Sequence, residues 1–326
     1  MLIQFFRNHK AIHIFILILI SLVLSVGGFF HSSTVSTFYL EPALGNLLFK
    51  GQSFTLSVET NVVLTALITA GQGLFLNRLV TSMNLFSRPN FLTALLYIVI
   101  SSSLLPFLFL SPALICNFIT IWMLGRLISM YQLAQVKQLM FDLGILTAIG
   151  SLIYFPFLSM ILLLWIALFI FRPFDWREWV TPLIGCLSIY FLIFVAYVWY
   201  DRTDDFFLIF SQISKPKIND FSIDIQDYWV LFPILLGIVL FIVTLKEQFF
   251  KSVVQIRKSF LLLFYMLLLF LISSIFTSRL NISHVILCTP VIAIYLSYYF
   301  THAKNPWVYE TLLSIMIAAG LFFTIS

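Results

Sequence analysis

Apolar residues in this chain neither alternate nor keep to one helical face; they fill whole stretches, such as 12–26 and 260–276. Crossing about 30 Å of hydrocarbon takes roughly 20 apolar helical residues. Lipid offers a backbone amide no water, so only helices and closed barrels can cross. Barrel strands alternate apolar and polar over about 10 residues, and these runs do not. The pattern predicts an all-α fold, a polytopic transmembrane helical bundle of about 11 spans. They fall at 11–30, 60–77, 91–108, 111–130, 139–155, 157–171, 182–200, 228–245, 260–277, 284–300 and 308–324.

Two places bear on that count. Residues 139–171 are apolar throughout with Pro156 in the middle. Proline removes a helical hydrogen bond and clashes with the preceding turn, so a hairpin of two short spans is expected rather than one broken helix. Residues 91–130 pose the same question around Ser101 to Pro112. The first run follows Arg7 and Lys10 as a signal peptide would. It is long, however, and ends Ser-Val-Gly-Gly-Phe-Phe without a small-x-small cleavage site, so an uncleaved first span is expected.

Charge sets the expected orientation. With the N-terminus inside, 13 of the 18 Lys and Arg residues fall in inner loops and 5 in outer ones. Eight of the 13 acids fall outside, including six Asp between Asp201 and Asp227. An odd number of spans puts the C-terminus outside. A single span over 139–171 would turn the basic stretch 246–259 outward, against this rule.

Composition narrows the class further. The chain has 326 residues, of which 61% are hydrophobic and only 10% charged, and its mean hydropathy is +1.07. Soluble domains carry about 25% charged residues, so soluble and disordered classes are excluded. The net charge of +5 comes from cations scattered singly, so no nucleic acid partner is indicated. Cys116, Cys186 and Cys288 lie in apolar runs without paired spacing, which points to neither disulfides nor a metal site. No cofactor motif occurs: Walker, GxGxxG and HExxH patterns are absent.

Residues 1–326 therefore read as a single integral membrane domain with two longer outer segments. Segment 31–59 carries an apolar piece, 38–49, too short to cross and suited to lying in the interface. Segment 201–227 is an acidic and aromatic loop. At the inner side, Phe171-Arg172-Pro173-Phe174-Asp175-Trp176-Arg177-Glu178-Trp179 suits an interfacial anchor. The basic loop 246–258 should attract anionic headgroups.

Ionisable groups near the membrane are the candidates for chemistry, because burying them is costly. Asp142, at the start of a span, suits a helix N-terminus. Glu41 and Glu59 are the acids of the first outer segment. Glu41, bracketed by Leu40 and Pro42, is a candidate general base or a headgroup-level marker. In the turn Ser278-Arg279-Leu280-Asn281-Ile282-Ser283-His284, Arg279 suits a phosphate and His284 adds a donor, and a headgroup anchor is the plain alternative. Tyr295, Tyr298 and Tyr299 suit a groove lining or an aromatic belt.

This layout resembles the integral-membrane glycosyltransferases of the C-type superfamily, which use polyprenyl-phosphate sugars. The resemblance rests on a first span followed by an acid-bearing outer segment, on the span opening Phe141-Asp142-Leu143-Gly144, and on Arg279 preceding a span with Pro290. It implies a catalytic acid at Glu41 or Glu59, with Arg279 and His284 on the carrier phosphate. Two features differ from that family: the outer acids are not adjacent, and 101–112 holds no acid. The phrase Arg172-Pro173-Phe174-Asp175-Trp176-Arg177-Glu178-Trp179 is similar to a family of uncharacterised bacterial polytopic inner-membrane proteins. The expectation is thus a bacterial inner-membrane protein of the cell envelope. Three functions remain open: a glycosyltransferase acting at the outer face on a polyprenyl-phosphate-linked substrate, a non-catalytic subunit holding a membrane protein partner through its inner loops, and a lipid or solute transporter. Membrane lipids are expected partners in each.

Overall fold

A computed structural model of the protein describes residues 2–7, 10–30, 37–38, 54–86, 89–133, 135–208, 210, 235–236, 239, 253–274, 282–303 and 306–325. These are helical between short connectors, apart from a two-residue antiparallel pair, β1 (Thr37–Phe38) against β2 (Phe54–Thr55). The helices are α1 (Leu2–Phe6), α2 (Ile12–Leu24), α3 (Gly27–Phe30), α4 (Val58–Ser82), α5 (Leu92–Ser101), α6 (Pro112–Ser129) and α7 (Lys137–Ile153). They continue with α8 (Met160–Phe171), α9 (Trp176–Trp199), α10 (Thr203–Leu208), α11 (Val254–Ser273), α12 (Thr289–His302) and α13 (Pro306–Ile325).

Six stretches among the described residues are long and apolar enough to cross a membrane: Ile12–Phe30, Val58–Ser82, Pro112–Gln132, Trp176–Trp199, Val254–Ser273 and Ser283–His302. They correspond to six of the expected spans. The spans expected at 91–108, 157–171 and 308–324 contain the shorter apolar helices Leu92–Ser101, Phe155–Phe171 and Trp307–Phe322. The span expected at 139–155 is α7, and the one at 228–245 lies almost wholly outside the described residues.

Local chemistry sets the helix starts. Ser57 accepts a hydrogen bond from the Thr60 amide, and Ser111 one from Leu114 with Pro112 at the first helical position. Asp175 caps α9 through the Arg177 amide at 3.1 Å. That cap starts α9 before the expected 182, and Pro182, inside the second turn, costs one hydrogen bond without ending the helix. α5 stops at Ser101, where Ser102 and Ser103 and then Pro106 break it into a 3-10 segment, Leu105–Leu108. Asp142 lies in the second turn of α7, since that helix already begins at Lys137.

The contacts define two ends. At one, Arg7 donates to the Phe300 carbonyl at 2.6 Å and lies over the Tyr309 ring, while the Phe91 amide donates to Phe6. At the other, Asn61 accepts from the Leu110 amide, Gly28 packs on Val62 and Leu108, and Gly27 meets Thr324. The long helices run alternately between the ends from α2 to α9 and again from α11 to α13, while α9 and α11 run the same way; the start of α2 and the end of α13 lie at opposite ends. Pro156 does mark a hairpin: α7 and α8 are separate helices joined by the 3-10 segment Phe155–Ser159, and Arg172 after α8 donates back to the Leu133 carbonyl before α7. Nine of the ten described cations (Arg7, Lys10, Arg78, Arg126, Lys137, Arg172, Arg177, Arg257 and Lys258) lie toward the Arg7 end. Arg202, paired with Asp205 at 2.8 Å, lies at the other.

All ten residues of α5 are buried, as is α12 from Thr289 to Phe300, and these two helices form the centre. Thr93 donates to Ser297 between them at 3.1 Å. In lipid the hydrophobic effect does not drive helix against helix, so close packing and hydrogen bonds must. α7 and α9 approach closely where Gly144 meets the Pro182 carbonyl and Gly185 meets the Phe141 carbonyl; a Cβ at either glycine would overlap that backbone.

Candidate functional site

Among the described residues, three 3-10 segments lie at the Glu59 end: Leu105–Leu108, Phe155–Ser159, and Ile282–Cys288 leading into α12. Non-helical backbone at membrane depth must find partners within the protein. Lone polar side chains on neighbouring helices supply them, and these side chains form the polar interior of the bundle.

The centre of that interior is Asn117. Pro290 has no N–H, so the Ile286 carbonyl four residues earlier lacks its helical donor. Asn117 Nδ2 donates to it at 2.8 Å and the Thr289 hydroxyl at 2.7 Å. Asn117 Nδ2 also approaches the Tyr97 hydroxyl at 3.2 Å, which donates to Gln72 Oε1 at 2.6 Å; Gln72 Nε2 in turn donates to the Leu114 carbonyl at 2.7 Å. α4, α5, α6 and α12 are thereby tied through one fully buried chain. Asn117 Oδ1 and the Thr120 hydroxyl are buried there without a hydrogen-bond partner among the described residues.

His284 sits nearby and is 2% exposed. Its Nε2 lies 2.9 Å from the Phe270 carbonyl and 3.0 Å from the Ser273 hydroxyl. A carbonyl only accepts, so Nε2 carries the proton, and Nδ1 accepts from the Tyr154 hydroxyl at 2.8 Å. Both ring nitrogens are engaged within the protein. The imidazole thus clamps the 3-10 segment Phe155–Ser159, the end of α11 and the segment 282–288 together. Asn61 does the corresponding work at the connector before α6, accepting from the Leu110 amide at 2.8 Å.

The other expected site residues divide. Glu59 is exposed in the first turn of α4, where the helix dipole favours a carboxylate. Glu41 and Arg279 lie outside the described residues, as do most of segments 31–59 and 201–227. Among the described residues no three His, Cys, Asp or Glu side chains gather as a metal ion requires. Tyr295, Tyr298 and Tyr299 are buried rather than arrayed as a belt: the Tyr295 hydroxyl donates to the Phe260 carbonyl at 3.1 Å, and the Tyr298 ring meets Phe260 edge-on at 4.7 Å.

Sequence reasoning missed Gln72, Tyr97, Asn117 and Tyr154. The signal for two of them was present: Gln72 in Ile68-Thr69-Ala70-Gly71-Gln72-Gly73-Leu74-Phe75, and Asn117 in Leu114-Ile115-Cys116-Asn117-Phe118-Ile119, are lone amides within apolar runs. No protein-family model matches the sequence, and no curated protein is similar to it at a significant level.

Proposed function

We propose that the protein is an eleven-span component of the bacterial inner membrane, with its N-terminus in the cytoplasm and its C-terminus outside, and that its working face is the Glu59 end. The orientation is supported by the gathering of Arg and Lys toward the Arg7 end, since cytoplasmic loops retain such residues. The observation that carries the working face is the meeting of three 3-10 segments with a buried polar chain toward one end. Non-α-helical backbone beside a polar interior accompanies ligand sites in membrane proteins.

On this reading the substrate is amphiphilic, a sugar on a polyprenyl phosphate presented from the outer leaflet. Glu59 and Glu41 are the candidate bases of the transfer, and Arg279 is the cation for the carrier phosphate. His284 acts as a positioning residue: its clamp on Phe270 and Tyr154 fixes the start of the segment that follows Arg279. The test is donor consumption by purified protein in proteoliposomes supplied with short-chain polyprenyl-phosphate sugars. Transfer or donor hydrolysis that falls at least tenfold in Glu41→Gln or Glu59→Gln, at unchanged abundance, supports the reading. Wild-type protein that leaves every donor intact overturns it.

A second reading has its own observation. At the Arg7 end Phe174 and Trp176 are 76% and 63% exposed, beside the exposed Arg177. That turn suits a membrane partner protein bound without catalysis. Trp179 is not available in the same way, because its side chain is partly buried against the core of the bundle. Loss of a co-purifying partner in Trp176→Ala would favour this reading.

A further inference from the structure

We propose that the groove between α8 and α11 binds one anionic phospholipid of the leaflet at the Arg7 end. Its acyl chain lies along the groove and its phosphate at Lys258. The groove encloses about 680 Å³. Leu162, Trp165 and Phe169 of α8 face Leu261, Tyr265 and Leu269 of α11 across it, and they offer almost no polar surface. Phe169 is 78% exposed, so the groove opens sideways to the bilayer. Its axis follows α11 from Lys258 to Leu269, about 16 Å at 1.5 Å per residue. That is half of the roughly 30 Å of hydrocarbon, the depth of one leaflet.

The mouth supplies the headgroup chemistry. Lys258 Nζ lies 5.8 Å from the centre of the Tyr131 ring, and Arg172 donates to the Leu133 carbonyl in the same turn. Among the described residues no carboxylate pairs with Lys258 or Arg172, and Arg172 Nε is buried without an acceptor. Two cations thus flank one turn with no carboxylate partner among the described residues. A phosphate fills that role, because an ammonium serves it as a point charge and a guanidinium as a planar donor. Trp179, its carbonyl held by Trp165 Nε1, closes the mouth at the depth where indoles prefer to sit. The proposal goes beyond the reading of the opposite end and does not depend on it.

The test uses the full-length protein in phosphatidylcholine nanodiscs containing a trace of phosphatidylglycerol with a photoreactive acyl chain. A matched phosphatidylcholine probe serves as reference, and adducts are mapped by mass spectrometry. The expected result is labelling of α8 and α11 by the anionic probe about fivefold above the zwitterionic one, the ratio that one cation near the membrane surface gives. Lys258→Glu should bring the two probes level. Leu261→Trp, which fills the half-exposed groove wall without touching the charges, should abolish labelling there by both. Equal labelling by the two probes in wild type, an unchanged ratio in Lys258→Glu, or persistent groove labelling in Leu261→Trp each overturns the proposal. So does a crosslink from this groove to a second copy of the chain in place of lipid.

Discussion

Single polar side chains bear an unusual share of the work, as at Pro290, where Asn117 and Thr289 donate to the Ile286 carbonyl that the proline leaves without its helical donor. Asn117 is the clearest case. Replacing it with Leu leaves the Ile286 carbonyl to Thr289 alone and removes the contact to Tyr97. Asn117→Leu should cost about 1–3 kcal/mol, the usual penalty for stranding a buried polar group, and lower the thermal midpoint in detergent. His284→Ala should do the same, with Tyr154→Phe, which removes one hydroxyl from the same clamp, having a smaller effect. His13 predicts the opposite sign. It is fully buried among Phe5, Phe6 and Phe91, and neither ring nitrogen has a hydrogen-bond partner among the described residues. His13→Phe keeps an aromatic ring there and removes the stranded polar atoms, so it should raise the midpoint. At this scale the sequence was legible only in part. A lone Asn in an apolar run announces itself, but its need follows from Pro290, 173 positions on, and no local pattern links the two. His284 was read as a free donor for the same reason: its partner Tyr154 is 130 residues away in sequence.

Among the helices, association rests on close approach rather than apolar burial, since lipid tails are as apolar as the side chains they would replace. The crossing of α7 and α9 at Gly144 and Gly185 is the sharpest instance. Gly144→Val should destabilise the protein by about 1–3 kcal/mol through overpacking, seen as lower yield of folded protein by size-exclusion chromatography. Gly71 is the control: nothing lies within 4 Å of where its Cβ would sit, so Gly71→Ala should leave yield unchanged or slightly raised. Existence and type of the long helices among the described residues were readable from apolar runs and turn residues, and the hairpin at Pro156 followed from proline chemistry. Their ends were less so. α9 begins ahead of the expected 182 because an Asp cap and a charged first turn extend a helix beyond the apolar stretch. The 91–108 run divides at Ser101 because three serines and Pro106 weaken the helix where hydropathy alone sees continuity.

For the molecule as a whole, α5 and α12 are wrapped by the remaining helices, with polar backbone breaks at one end and cations at the other. That polarity links the fold to the proposed function, in which the cation-rich end is the one that meets the cytoplasm. The alternation of α2 to α9, and of α11 to α13, between two ends followed from the span pattern; the meeting of the 3-10 segments at one end did not, since it depends on which helices neighbour one another. Topology is the most direct test. Cys116, Cys186 and Cys288 are buried and can be replaced by Ser to give a cysteine-free background. Single cysteines at Thr60 and Tyr200 then report the Glu59 end, and at Gln132 and Gln138 the Arg7 end, all four positions being exposed. The account predicts that a membrane-impermeant maleimide labels Thr60→Cys and Tyr200→Cys in intact spheroplasts, and Gln132→Cys and Gln138→Cys only after lysis. The reverse pattern, or labelling of all four before lysis in sealed cells, would contradict it.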